Sequence, residues 1–354
     1  MNLQEAKRAL DKVINKSRVH FYKPIQVAEI LYRDRIEKDI DLHNLETYRN
    51  SSKKWRDEIC LKFFGRTSTS SARYQDDIFN ENAIPPKVLE ILGQENREKN
   101  GIVESYIYKR FAKRFSQMSN ALAYCTEHDK NTFQLSEFIG LFRAEAGLRR
   151  SIDKIYEIIV FSLFSAITEA VELSVEVSYN PDRKSILTEF QDFVENVLNL
   201  GEENSSFKTK ARIYRAGVTN AADRGLDMWA NFGLAIQIKH LSLSEELAEN
   251  IVGSITADRI VIVCKSAEQK VIVSLLNQIG WKARIQAIVT ETDLLRWYEK
   301  ALRGKYSELL GDKILEILNN EIQVEFPATE TQKFENFYKG RGYDKLNDIF
   351  WTAN

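Results

Sequence analysis

The sequence predicts an α/β protein, an α+β mixed sheet with helices on both faces, behind a mostly helical N-terminal region. Three observations predict it. Apolar positions recur at helical spacing up to about Gly147, and strict alternation sets in from Val171 to Val177. The continuous apolar run Arg259-Ile-Val-Ile-Val-Cys264, with amphipathic segments on either side, reads as a central strand.

The opening MNLQEAKRALDKVINKSR is an amphipathic helix whose Glu5 and Asp11 argue against an organellar transit peptide. Val27, Ile30 and Leu31, then Ile59 and Phe63, then Tyr106 to Phe115 continue the helical period, with Pro24 at a helix start and Pro85-Pro86 as punctuation. Pro24–Arg35 followed by Leu42–Phe64 has the outline of a helix-turn-helix presenting Ser51, Ser52, Lys53, Lys54 and Arg56 to DNA. Two ordinary amphipathic helices joined by a polar loop have the same outline. Ser151 is expected to cap a buried helix that is apolar from Ile155 to Ala166. Val171, Leu173, Val175 and Val177 alternate with polar residues as in a half-buried strand, and a helical insertion follows from Ser185 to Leu200.

Leu226 to Ala230, a turn through Asn231-Phe232-Gly233, and Leu234 to Leu241 read as a hairpin. Ser244 precedes a helix to about Gly253. Helix Ala267–Ile279, strand Ala283–Val289 and helix Asp293–Leu302 complete the pattern. The expected division is 1–147 for a helical domain of DNA recognition or dimerisation, 148–325 for a catalytic domain, and 326–354 for a C-terminal extension.

Hydrophobic residues make up 44% of the chain and charged residues 29%, as in a soluble globular protein, and the longest apolar stretch is too short to cross a membrane. The cytoplasm is the expected compartment. Cys60, Cys125 and Cys264 form no CxxC pair, and His20, His43, His128 and His240 are scattered. A bound metal would therefore take oxygen ligands, which points to Mg2+ or Mn2+. Net charge is −1, so bulk charge does not mark a nucleic-acid binder. Three windows nevertheless lack acids or are rich in bases: Lys109, Arg110, Lys113 and Arg114; Arg66 and Arg73 around Ser68 and Ser70; and Lys208, Lys210, Arg212 and Arg215. One such window is usually a solvated helix face. Three in a neutral chain point to the phosphates of DNA.

Alternation in Leu234–Leu241 sends Leu234, Ile236 and Ile238 to one face and Ala235, Gln237 and Lys239 to the other. Asp227, on the neighbouring strand, can join Gln237 and Lys239. Phosphodiester hydrolysis uses these groups: a carboxylate to hold a divalent ion, an ammonium to orient water and stabilise developing charge, and the Gln237 amide oxygen and Ile238 carbonyl as further ligands.

Gly225-Leu226-Asp227 followed by Gln237-Ile238-Lys239, an amphipathic helix and an apolar strand resembles the PD-(D/E)xK nuclease superfamily. That resemblance implies a restriction-endonuclease-like core. Gln237 departs from the usual carboxylate, which weakens a two-metal scheme unless another acid assists. Glu157, an acid in an apolar helix where the superfamily often has glutamate, is the first candidate, and Asp223 the second. An ion pair or a solvent-facing position for Glu157, and a turn role for Asp223, are the alternatives.

The run from Gly217 through Leu241, the opening Ala6 to Ser17, and Ala257 to Lys265 narrow this further. They resemble the HaeII family of Type II restriction endonucleases over the whole chain. The resemblance implies a magnesium-dependent enzyme that cuts both strands of double-stranded DNA at Pu-GCGC-Py, paired in the cell with a cognate methyltransferase. A palindrome is most simply cut by a two-fold homodimer. Arg66, Arg73 and the serines between them are the first candidates for base reading, against an ordinary loop with a basic fringe. Two rival readings stand beside this one: a repair or junction-resolving nuclease on the same fold, and a non-catalytic helix-turn-helix regulator.

Overall fold

In the computed structural model, residues 1–17, 20–67, 77–145, 147–201, 204–216, 226–268, 284–326 and 331–352 are described. The N-terminal helix α1 (Leu3–Lys16) opens with a capping box. The Asn2 side chain accepts from the Glu5 N–H, and the Glu5 carboxylate accepts from the Asn2 N–H. Its apolar stripe, Ala6, Leu10, Val13 and Ile14, is buried against the helices that follow: α2 (Tyr22–Ile36), α3 (Ser51–Phe64), α4 (Pro86–Glu98) and α5 (Ile102–Glu127). Pro85-Pro86 starts α4, where a missing N–H costs nothing. Gly65, at φ 65°, ends α3 in the left-handed region. Helix α6 (Leu135–Ala144) follows.

The helix-turn-helix expectation meets a different arrangement. Between α2 and α3 lies only a short 3-10 turn, Leu45–Thr47. Ser52 and Arg56 of α3 are buried, Ser52 accepting from Gln26 and Arg56 donating to Asp57, so this part of α3 faces the interior.

The chain separates into two compact units, Met1–Ile155 with Asn319–Asn354, and Tyr156–Leu318. The C-terminal segment therefore folds with the N-terminal helices. Phe337, Tyr343 and Trp351 enter their core. A buried polar network fixes the join. Arg341 donates to both oxygens of Glu29 at 2.6 and 2.8 Å, and Tyr108 donates to Glu29 at 2.5 Å. Glu104 accepts from both Arg35 and Tyr343. Burial beside these carboxylates pushes the Tyr108 and Tyr343 hydroxyls well above their usual range, so both act as donors.

Helix α7 (Ile152–Ala170), which from Tyr156 on belongs to the second unit, leads to β1 (Ser174–Ser178), a short helix α8 (Lys184–Glu189) and β2 (Ser206–Lys210). The Ser151 hydroxyl is buried without a hydrogen-bond partner, so Ser151 does not cap α7 through its side chain. Strands β1 and β2 pair antiparallel as a two-stranded sheet of their own. The strand expected to be half-buried is instead largely exposed, with Val171 at 64% and Val177 at 38%. Alternation in sequence marks a strand, but a ribbon outside the main sheet gives it no apolar layer to cover.

The main sheet runs β3 (Ile213–Arg215), β4 (Met228–Ala230), β5 (Leu234–Leu243), β6 (Arg259–Ala267), β7 (Ile285–Thr290), in that spatial order. The first three are antiparallel and the last three parallel, the mixed sheet that the sequence predicts. Gly233, at φ 81°, turns the β4–β5 hairpin. Helix α9 (Glu245–Ser254), capped by Ser244, covers the face that carries Ala235, Ile260, Ile262 and Cys264. Ile236, Ile238, Val261 and Val263 are buried on the reverse. Thr290 and Asp293 form a capping box for α10 (Glu291–Arg303), whose Tyr298 hydroxyl donates to the Ile159 carbonyl of α7 at 2.9 Å. The predicted helix 267–279 falls mostly outside the described residues.

Removing Arg341 would leave the buried Glu29 carboxylate without its cation. Arg341→Ala is expected to lower unfolding free energy by about 3–5 kcal/mol. Urea denaturation checks this, and a loss below about 1 kcal/mol would contradict the structural weight given to the pair.

Candidate active site

The site begins with strand register. Met228 pairs with Ile236 and Ala230 with Leu234, so the same antiparallel register sets Asp227 opposite Gln237. The Ala216 N–H donates to the Asp227 carbonyl at 2.8 Å and extends the β3–β4 ladder to this residue. Because β4 itself starts only at Met228, the Asp227 carboxylate, instead of a backbone carbonyl, receives the Ile238 N–H, at 2.7 Å. The same oxygen, Oδ2, accepts from Gln237 Nε2. Asp227 is half-buried and Gln237 is 3% exposed. An unpaired amide there would be costly, so this hydrogen bond holds the side chain in place.

Lys239 lies two residues beyond Gln237, on the same face, and is half-buried. It is paired with Cys264 at the last regular position of the β5–β6 ladder. The register then shifts, and pairing resumes at Ser242 with Ser266. A bulge at this point ends the regular alternation immediately after Lys239. Asp227, Gln237 and Lys239 thus share one face at the end of β4, as alternation predicts. Ala235 and Gln237 are buried, because the β5–β6 crossover lays α9 over this face.

Glu157 stands elsewhere. Its carboxylate is 3.8 Å from Arg215, and both side chains are 7% exposed. Arg215 pairs with Met228, which assigns it to the face opposite Asp227, Gln237 and Lys239. Asp223 and the rest of 217–225 lie outside the described residues. Among the described residues, no group of three or more His, Cys, Asp or Glu side chains is arranged to hold a metal. The oxygen donors at hand are one carboxylate, the Gln237 amide and the Ile238 carbonyl. Such hard, largely neutral donors fit a magnesium ion, which takes one or two carboxylates and keeps several waters for substrate to replace.

A family model described as HaeII restriction endonuclease matches residues 6–343. The chain belongs to the HaeII restriction endonuclease family. Among its relatives is the Type II restriction enzyme HaeII of Haemophilus aegyptius, 60% identical over 348 residues, covering 98% of this chain and 99% of that protein. Another is the Type II restriction enzyme NgoBI of Neisseria gonorrhoeae, 60% identical over 342 residues, covering 96% and 97%. No solved structure matches.

Within this family member, the basic windows divide into structural and free residues. Arg114 is buried and donates to the Ile14 and Ser17 carbonyls at the end of α1, and burial lowers its pKa to about 10. Lys109 donates to the Leu346 carbonyl and Arg110 to Asn15. Arg66 donates to the Val324 and Glu325 carbonyls and contacts His20. Lys113 and Arg212 are exposed. Ser68, Ser70 and Arg73 lie outside the described residues.

Two features escaped sequence reasoning. One is the Glu157–Arg215 pair. The other is Tyr214, stacked on Trp229 with ring centroids 4.3 Å apart, Trp229 being 44% exposed. By alternation Trp229 shares the face of Asp227, two residues away, and that spacing was legible in advance.

Arg215→Ala would remove the buried cation beside the Glu157 carboxylate and is expected to destabilise the protein by about 3 kcal/mol. Joint replacement with Glu157→Leu should recover most of that loss. Thermal melting of both variants decides the matter. Failure of the double replacement to recover stability would mean that the loss does not come from the buried Glu157 charge.

Proposed function

We propose that this protein is a Type II restriction endonuclease that cuts both strands of double-stranded DNA at a short palindrome, Pu-GCGC-Py, with Mg2+, or Mn2+ in its place. The observation that carries the reading is 60% identity to two Type II restriction enzymes over nearly the full length of each chain. The convergence of Asp227, Gln237 and Lys239 on one face supports it. The enzyme acts in the cytoplasm as a homodimer, one site for each strand, beside a methyltransferase that protects the same sequence.

In the reaction water adds to phosphorus and one P–O bond of the backbone breaks. Asp227, Gln237 and the Ile238 carbonyl would hold the divalent ion, while Glu157, paired with Arg215 on the opposite face, would not. When bound, such an ion lowers the pKa of water and offsets negative charge on the phosphate. Lys239 directs its ammonium at the attacking water and the phosphoryl oxygens, stabilising charge that grows as the bond to water forms. Gln237 fixes the Asp227 carboxylate through its Nε2. Lys113, Arg212 and other cations of the basic windows contact phosphates. Base reading falls to Ser68, Ser70 and Arg73, Arg66 being held by the Val324 and Glu325 carbonyls.

Asp227→Ala should reduce plasmid cleavage to background while specific DNA binding survives. Lys239→Ala should slow the single-turnover step by about 10²–10³-fold with affinity little changed. Gel-shift and quench measurements on the same preparations separate the two effects, and retained cleavage by Asp227→Ala would end the proposal. Discrete, sequence-defined fragments from intact plasmid distinguish restriction from branch-directed nicking.

Gln237→Glu puts a second carboxylate against Asp227. Without divalent ions the repulsion should lower the melting temperature, and magnesium should restore it at lower concentration than the parent protein requires. A melting temperature indifferent to magnesium in this variant would remove residue 237 from the ion's surroundings.

A further inference from the structure

The helical insertion between β1 and β2 leaves an apolar stripe uncovered. It consists of α8, a turn at Phe190, a short helical piece Gln191–Phe193 and a wider π turn, Val194–Leu198. Leu187 and Val194, seven residues apart, point inward to a small cluster with Leu200, Tyr179 and Phe207. Ile186, Phe190, Phe193 and Val197 are instead 52–63% exposed. They lie off the inward line of Leu187 and Val194 and face solvent. Four large apolar side chains at spacings of four, three and four thus form an exposed apolar row along this broken helical segment.

The area is large for a free surface. With Val171, Leu173 and Val177 of the adjoining strand region, seven large apolar residues of this module are 38–64% exposed. Their combined area is on the order of several hundred Å², comparable with the ~800 Å² that each partner gives to a standard interface. Its spacing also reads the same in both directions. A two-fold axis between Gln191 and Asp192 would set Ile186 against Val197, and Phe190 against Phe193, of a second copy. Each contact then recurs by symmetry, as an isologous interface requires. In that register Glu189 meets Val194, Asp192 meets Gln191 and Glu195 meets Thr188, so no acid opposes an acid.

We infer that the 184–198 stripe is the surface by which two copies of this chain pair, helix against helix and antiparallel. The inference specifies the homodimer of the functional reading, and it is tested on free protein without DNA or metal, so nuclease activity does not enter the result. Sedimentation equilibrium at micromolar concentration should give twice the chain mass for the parent protein. Phe190→Glu with Phe193→Glu should give the single-chain mass, the dimer weakened at least about 100-fold, with circular dichroism unchanged. Leu309→Glu, at another exposed apolar position, should leave the dimer intact.

A cysteine pair supplies an independent check, because Cys60, Cys125 and Cys264 are buried. Phe190→Cys protein mixed with Phe193→Cys protein should form an interchain disulfide on oxidation. A parent protein of single-chain mass, as expected if another molecule covers the stripe, would overturn the inference. So would a dimer that survives both glutamates, or a mixture that does not cross-link.

Discussion

The carboxylate of Asp227 has two demands on it. Strand β4 is short, and where its backbone ends the Ile238 N–H of β5 would face a gap. Asp227 fills that gap with a side-chain oxygen and takes the buried Gln237 amide on the same atom. A buried donor without an acceptor costs on the order of 1–3 kcal/mol, so the register of the hairpin and the position of this charge support one another. A slip of one residue would turn Asp227 to the face of Met228 and Ile236, which is buried and already carries the Glu157–Arg215 pair. Any ion held here therefore meets a carboxylate already anchored by the sheet. The substitution of glutamine at 237 is part of the same arrangement: an amide can donate to Asp227, whereas a carboxylate at that position would repel it.

The helical unit uses charge differently. Arg341 with Glu29 joins the C-terminal and N-terminal segments, and Arg35 with Glu104 joins α2 to α5, both through paired ions with little exposure. Arg114 and Arg66 serve carbonyls at helix ends, where unsatisfied acceptors and the helix dipole both favour a cation. Cations used in this way are unavailable to DNA, which is why a count of Lys and Arg along a window is a poor measure of a binding surface. Exposed Lys113 and Arg212 are the kind of residue that such a count is meant to find.

Surface apolarity is distributed just as unevenly. The outer sheet faces are covered by α9 and its counterparts, while the β1–β2 ribbon and the helical stripe beside it remain open. The contrast follows from topology: strands inside the five-stranded sheet gain layers on both faces, and a two-stranded ribbon with a short helix has only the small Leu187, Val194 and Leu200 cluster to hide its apolar residues.

Local chemistry made the hairpin, the Ser244-led helix α9, helix α10 and the shared face of Asp227, Gln237 and Lys239 legible from the sequence alone. Turn residues, N-caps and a period of two act over a few residues and need no distant partner. The family resemblance was carried by contiguous blocks for the same reason. Three features depended on contacts between segments far apart in the chain: the docking of Tyr343 and Trp351 among the first helices, the pairing of Glu157 with Arg215 away from Asp227, and the exposure of Val171 and Val177. Each turns on which surface packs against which, a matter of burial and electrostatic pairing that periodicity does not encode, and only the tertiary structure decided it.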